Sequence, residues 1–220
     1  MIAISARFLY GARLPEDKPH FPIYFADQDW HNPNRDRYMA EIKKHQPQMA
    51  TVLDLEMKGQ LKEVLSWAEE AAQFCTMVVV IPKVKGTIKH IPKRINGKYI
   101  VLGFSVPTKY GSTPVPKDEF AGRRVHLLGG SPHHQMRVWD IMRNYCEVVS
   151  VDGNYAQRMA VRHNRFWVDG TAWGASNRWF PRLDETDGLK WDNDAPYEAF
   201  RRSCENIRIA WEQRSWWSRT

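Results

Sequence analysis

Val125-His126-Leu127-Leu128-Gly129-Gly130-Ser131-Pro132, a helical stretch, and then Val148-Val149-Ser150-Val151-Asp152-Gly153-Asn154 decide how this chain is read. Each end is a short continuous apolar run closed by small or polar residues, the pattern of a strand buried on both faces. Between them Ser131 suits an N-cap and Pro132 the first helical position. Met136, Trp139 and Met142 then recur on one helix face. Strand, tight turn, helix, strand is the repeating unit of a parallel sheet covered by helices.

The same unit repeats outward from this point. Upstream, Ile2 to Leu9 reads as a strand, closed by Gly11 and the Pro15 to Pro22 region. Ile23-Tyr24-Phe25-Ala26 ends in Asp27-Gln28-Asp29, and Arg35 to His45 has helical spacing stopped by Pro47. Ala50 to Leu53 ends in Asp54-Leu55-Glu56, followed by a helix marked by Leu61, Val64, Leu65, Ala68 and Ala72. Met77 to Ile81 is closed by Pro82, and Tyr99 to Leu102 runs into Gly103-Phe104-Ser105-Val106-Pro107. After Arg158 the pattern turns irregular and rich in Trp and Arg, with Arg165 to Val168 as a candidate eighth strand. Tyr197, Phe200, Cys204, Ile207 and Trp211 form the apolar face of a last helix.

Polar residues collect at the predicted strand C-termini: Asp27, Asp54, Ser105, Gly129-Gly130 and Asp152. That face holds the active site in a (β/α)8 barrel and the ligand crevice in a doubly wound sheet. No Gly-x-Gly-x-x-Gly follows the first strand and no Walker loop occurs, which weakens nucleotide-cofactor readings. The expected fold is α/β: a compact (β/α)8 TIM-like barrel with some helices abbreviated, ending in an irregular Trp/Arg-rich region. One domain over residues 1–220 is expected, with the barrel core about 1–170 and the C-terminal segment and helix about 171–220.

Composition bounds the function. At 43% hydrophobic and 26% charged residues the chain reads as globular, and its longest apolar run is far short of a membrane span. Met1 to Tyr10 carries Arg7 and reads as no signal peptide. Cys75, Cys146 and Cys204 are too far apart for a disulfide framework or a Cys-x-x-Cys zinc clip, so a reducing cytoplasm is expected. A net charge of +7 points to a polyanionic partner. Seven of the ten tryptophans follow residue 160, and Trp167, Trp173 and Trp179 interleave with Arg158, Arg162, Arg165, Arg178 and Arg182, a composition suited to stacking on bases and holding phosphates.

Three aspartates at one mouth have three readings: oxygen ligands for a divalent metal, acid, base and nucleophile at an electrophilic carbon, or caps for helix N-termini. His126 and His133-His134 read as weak metal candidates, because adjacent helix residues do not face one point. Cys75 reads as packed. Lys83 either faces the mouth or stays on the surface, and the basic run Lys83 to Lys98 reads as a solvated excursion able to contact DNA.

The order of these motifs resembles that of the tRNA-guanine transglycosylases, and more closely their phage relatives that act on DNA guanine. Leu128-Gly129-Gly130-Ser131-Pro132, a helix and Val149-Ser150-Val151-Asp152 are similar to the family's Met-Gly-Val-Gly-Thr-Pro, helix and nucleophilic aspartate. Leu102-Gly103-Phe104-Ser105-Val106 resembles its Gly-Gly-Leu-Ser-Val base-pocket segment. Asp54 falls where the family has its base-recognition aspartate, and Asp27 where it has Asp-Ser-Gly-Gly-Phe, with Asp29 a competing choice. The resemblance spans roughly residues 22–158. The chain lacks the family's Cys-x-Cys-x-x-Cys…His zinc subdomain, so neither structural zinc nor a tRNA substrate is expected. The family's base-reading glutamine is replaced around Ile81-Pro82-Lys83.

The resemblance implies exchange of guanine in DNA for a free 7-deazaguanine base such as preQ0, serving a phage in evading restriction, with no cofactor. Asp152 would be the nucleophile and Asp27 the acid and base. Asp54, Gly103, Phe104, Ser105, Gly129, Gly130 and Asn154 would bind substrate, and Arg158, Arg162, His163, Arg165 and Arg178 would hold a flipped or single strand. The bare residues also admit a metal-dependent nuclease or phosphohydrolase and a silent DNA-binding module.

Overall fold

The computed structural model describes residues 8–9, 25–29, 33–108, 111–170, 180–183 and 195–214. The expected strand positions Ile2 to Arg7 and Ile23-Tyr24, and the stretch holding Trp173, Arg178 and Trp179, lie outside them.

The continuous apolar runs become parallel strands. β1 (Phe8–Leu9), β2 (Phe25–Ala26), β3 (Met49–Thr51), β4 (Met77–Val80), β5 (Arg94–Ile95), β6 (Lys98–Ser105), β7 (Arg124–Leu128) and β8 (Glu147–Asp152) form one sheet. Its order is β1-β8-β7-β6-β4-β3-β2, with every neighbour on that path parallel. β5 joins only β6, antiparallel, through a turn in which Asn96 (φ 47°) and Gly97 (φ 76°) are both left-handed.

α1 (Arg35–His45), α2 (Leu61–Ala71, preceded by a 3-10 turn at Lys58–Gln60), α3 (Pro132–Met142), α4 (Tyr155–His163) and α5 (Ala195–Gln213) are the described α-helices. Single 3-10 turns at Ile88–His90 and Lys117–Phe120 lie between β4 and β6 and between β6 and β7, where a full-length barrel would have helices. That economy lets a short chain supply seven parallel strands. No helix among the described residues is long and apolar enough to cross a membrane.

The sheet curls until its two ends face each other. Phe25 of β2 stacks on His126 of β7, with three strands between them in the order, the ring centroids 5.1 Å apart. Ser150 Oγ of β8 lies 3.7 Å from Met49 Sδ of β3. Met49, Val79, Ile81, Val101 and Val149 fill the hollow, and a larger layer packs between sheet and helices. The expected closed (β/α)8 barrel is corrected at one seam: among the described residues β1 and β2 each pair on one side only, leaving a curled half-barrel.

Two further expectations are corrected. Arg165 to Val168 is not an eighth strand; Arg165 makes one isolated bridge to Arg182. The Trp167 N–H donates to Ser203 Oγ at 2.8 Å and the Trp167 carbonyl accepts from Asn206 Nδ2 at 2.7 Å, so side chains of α5 satisfy backbone groups that a ladder would have used. The segment Lys83 to Lys98 is not a solvated excursion throughout. Ile88 and Ile91 are buried, and the Arg123 guanidinium donates to the carbonyls of Ile88, Ile91 and Pro92.

The C-terminal helix belongs to the same core. Trp167 and Trp211 are both 0% exposed, and Trp139 of α3 meets Trp211 edge-on at 6.0 Å. One apolar cluster runs from Met39 to Trp211.

Candidate functional site

The strand ends deliver side chains to one mouth because the ladders hold them in register. Phe25 pairs with Met49 and Ala26 with Ala50, which sets Thr51 beside Asp27. Thr51 Oγ1 donates to Asp27 Oδ1 at 2.9 Å and accepts from the Gln28 N–H at 2.9 Å. The Tyr38 hydroxyl of α1, 2.9 Å from the carbonyls of both Ala26 and Thr51, clamps the two strand ends together.

Beyond β3 and β4 the parallel pairing continues through a bridge between Leu55 and Pro82. This brings Asp54 and Lys83 together: Lys83 Nζ lies 3.9 Å from Asp54 Oδ2 and donates to Ser105 Oγ at 2.7 Å. At the end of β8, Asp152 Oδ1 accepts from the Gly129 N–H at 2.8 Å. Gln135 of α3, fully buried, donates through Nε2 to the Gly129 carbonyl at 2.8 Å and also to the Asp152 carbonyl. Gly130 has φ +80°, and a Cβ there would meet Val106 Cγ1 at 2.7 Å, so glycine is required for the turn to lie against β6. Ser131 caps α3 as expected, accepting from the His134 N–H.

The carboxylates differ in their surroundings. Burial, with Asp152 and Asp54 adding like charge, raises the Asp27 carboxyl to about 6 against the Thr51 hydrogen bond. Asp27 is accessible from the cleft yet walled by protein, which is why an exposed side chain is also a desolvated one. Burial raises Asp54 to about 6 as well, opposed by the Lys83 ammonium and assisted by Glu56.

Together these groups line a cleft of about 1030 Å³. Of the sequence-predicted residues, Asp27, Asp54, Ser105, Gly129, Gly130, Asp152, Asn154 and Arg158 line it. Asp29 does not, which separates it from Asp27. Gly103 and Phe104 do not line the cleft. Phe104 turns outward onto Phe120, and a Cβ on Gly103 would meet Ile81 and Leu128 inside the hollow, below the mouth. Alternation along β6 sends Ser105, two residues on from Gly103, to the cleft instead.

The expected nucleic-acid set also divides. Arg162 and His163 sit exposed on the last turn of α4, away from the cleft lining. Arg165 Nη1 donates to the Phe180 carbonyl and so holds residues 180–183 in place. Arg178 lies outside the described residues.

Sequence reasoning missed Gln28, Glu56, Tyr155 and Phe180 in the cleft wall and Gln135 behind it. A glutamine on the inward face of α3, next to Met136, is the one of these that a helix-face pattern exposes. Among the described residues no three His, Cys, Asp or Glu side chains are grouped to hold a metal ion.

A family model described as a family of unknown function (DUF6610) matches residues 9–212, which takes in every residue of the cleft. The chain belongs to the DUF6610 family. No curated protein and no solved structure matches it.

Proposed function

We propose that the protein is a DNA-guanine transglycosylase that replaces guanine in DNA with a 7-deazaguanine base through a covalent aspartyl-sugar intermediate. The observation that carries this reading is the pairing in one cleft of Asp27, whose carboxyl keeps its proton to about pH 6, with Asp152, which a backbone N–H holds by one oxygen. Base exchange at a sugar carbon needs such a division of labour: one carboxyl to protonate the departing base, another to bond to the carbon.

Asp152 attacks C1′ as the bond to guanine breaks, and Asp27 supplies the proton that the leaving base needs. The incoming base then displaces Asp152 and returns a proton to Asp27. Two displacements restore the original stereochemistry. Asp54, Lys83 and Ser105 offer acceptor and donor groups suited to a guanine edge. The net charge of +7 and Arg158 on the cleft wall favour a nucleic-acid strand. We take the half-barrel as a TIM-like (β/α)8 variant opened along one seam, and the setting as the cytoplasm of a phage-infected cell.

The test is nucleoside mass spectrometry of guanine-containing DNA, single- and double-stranded, incubated with the protein, preQ0 and EDTA. A 7-deazaguanine deoxynucleoside that appears with the natural protein and not with Asp152→Ala supports the reading. Exchange that survives Asp152→Ala removes the nucleophile from this site. DNA cleavage that appears only when magnesium is restored replaces the reading with a metal-dependent nuclease.

A further inference from the structure

Beneath Asp152 lies a histidine that the exchange chemistry does not use. His126 of β7 is 0% exposed, with Nδ1 2.6 Å from Ser150 Oγ and its ring stacked on Phe25. Its Nε2 makes no hydrogen bond of good geometry, yet it lies 3.3 Å from Asp152 Oδ1. That is the same oxygen that accepts from the Gly129 N–H at 2.8 Å.

The placement constrains the ring. An ionised carboxylate is an acceptor only, so an unprotonated Nε2 would set its lone pair against those of Oδ1. A proton on Nε2 removes the conflict, and in the neutral imidazole Nδ1 is then the acceptor. Ser150 is the group that can donate to it, since its other neighbour, Met49 Sδ at 3.7 Å, is a weak acceptor. Both donors therefore converge on Oδ1 and leave Oδ2 without either.

We propose that His126 is a positioning residue: its Nε2–H and the Gly129 N–H together hold Oδ1 of Asp152, so that Oδ2 is the oxygen that bonds to the sugar. The inference rests on the base-exchange reading. The Oδ2–C1′ bond forms as the bond from C1′ to the base nitrogen breaks; the electron pair leaves on that nitrogen, and the base takes its proton from Asp27. In the intermediate Oδ1 is the ester carbonyl oxygen, still facing the two N–H groups. When the incoming base displaces the ester, the pair of the Oδ2–C1′ bond returns to the carboxylate, and the same donors stabilise the charge shared onto Oδ1. Because His126 is sealed from the cleft, its effect falls on the rate and not on substrate affinity.

The test compares His126→Phe, His126→Gln and Ser150→Ala with the natural protein, each checked for an unchanged melting profile. His126→Phe keeps an aromatic ring against Phe25 and removes the donor. The expected result is a kcat lower by about tenfold to a hundredfold, with KM for oligonucleotide and base within about twofold. His126→Gln, which restores an N–H, recovers most of the loss, and Ser150→Ala falls between. An unchanged kcat for His126→Phe, a change confined to KM, or no recovery with glutamine overturns the proposal. Nitrogen-15 NMR of the ring gives a readout that needs no activity: Nε2 protonated and Nδ1 bare is expected, and the opposite tautomer overturns it. If the natural protein exchanges no base, the functional reading fails and the tautomer alone decides whether His126 holds Asp152.

Discussion

Asp27 shows how a single residue couples stability to chemistry. Its carboxyl titrates at about 6 in the folded protein against 3.8 ordinarily, because burial and the neighbouring Asp152 disfavour the anion. Between those values the folded state holds a proton that the unfolded chain has lost. The associated stability is therefore full below about pH 4 and is lost as pH rises through about 6, and Asp54 acts in the same direction. Asp27→Asn should raise stability at pH 7 by about 1 kcal/mol, after allowance for solvent reaching the open cleft, and leave it little changed at pH 4. Denaturant unfolding at the two pH values measures this. The same substitution should abolish base exchange, which in the natural protein should decline above about pH 6 as the acid is lost. A variant that is stabilised and still exchanges bases would keep the electrostatics and remove the role.

At the scale of elements, the turn between β7 and α3 is the hinge of the site. Gly129 presents its N–H to Asp152, and Gly130 turns the chain so that Ser131 can cap α3. Gly130→Ala forces a side chain into a left-handed backbone and against Val106. It should cost about 2–4 kcal/mol in unfolding free energy and depress exchange through the displaced Gly129 N–H. Gly59→Ala, where a Cβ meets nothing within 4 Å, is the control and should stay within about 0.5 kcal/mol. The strand-turn-helix pattern was legible because apolar runs, cap residue and proline all agree over residues 125–152. α4 was not, because Arg158, Arg162 and His163 obscure an apolar face made of only Ala156, Met159 and Ala160. Reading Arg165 to Val168 as a strand failed for a different reason. The segment is apolar enough, yet α5 takes over its backbone hydrogen bonds.

Across the whole molecule, the C-terminal helix α5 is joined to the rest of the core by packing. Trp211 is 0% exposed against Trp139, and Phe200, Ile207 and Ala210 share its side of α5. Trp211→Ala should lower stability by about 3–5 kcal/mol and shift the far-UV circular dichroism and tryptophan fluorescence transitions together. A shift in one signal alone would make α5 a separate cooperative unit. Strand-bound electrostatics adds a second test at this scale. Arg158→Ala should weaken oligonucleotide binding and reduce the slope of log affinity against log salt by about one, read by fluorescence anisotropy. An unchanged slope would place the phosphate contacts away from the cleft wall.

The sequence by itself determined the α/β class, the parallel strands, the cap of α3 and the strand-end positions of Asp27, Asp54 and Asp152, because apolar runs, turn residues and caps act over a few neighbouring positions. Tertiary structure alone decided that the sheet stops at a half-barrel among the described residues and that Gly103 faces the hollow. It also decided that Lys83 meets Asp54 and that His126 lies under Asp152. Those outcomes depend on strand register and on how far the sheet curls, which are set by contacts between residues distant in the chain, and no local pattern encodes them.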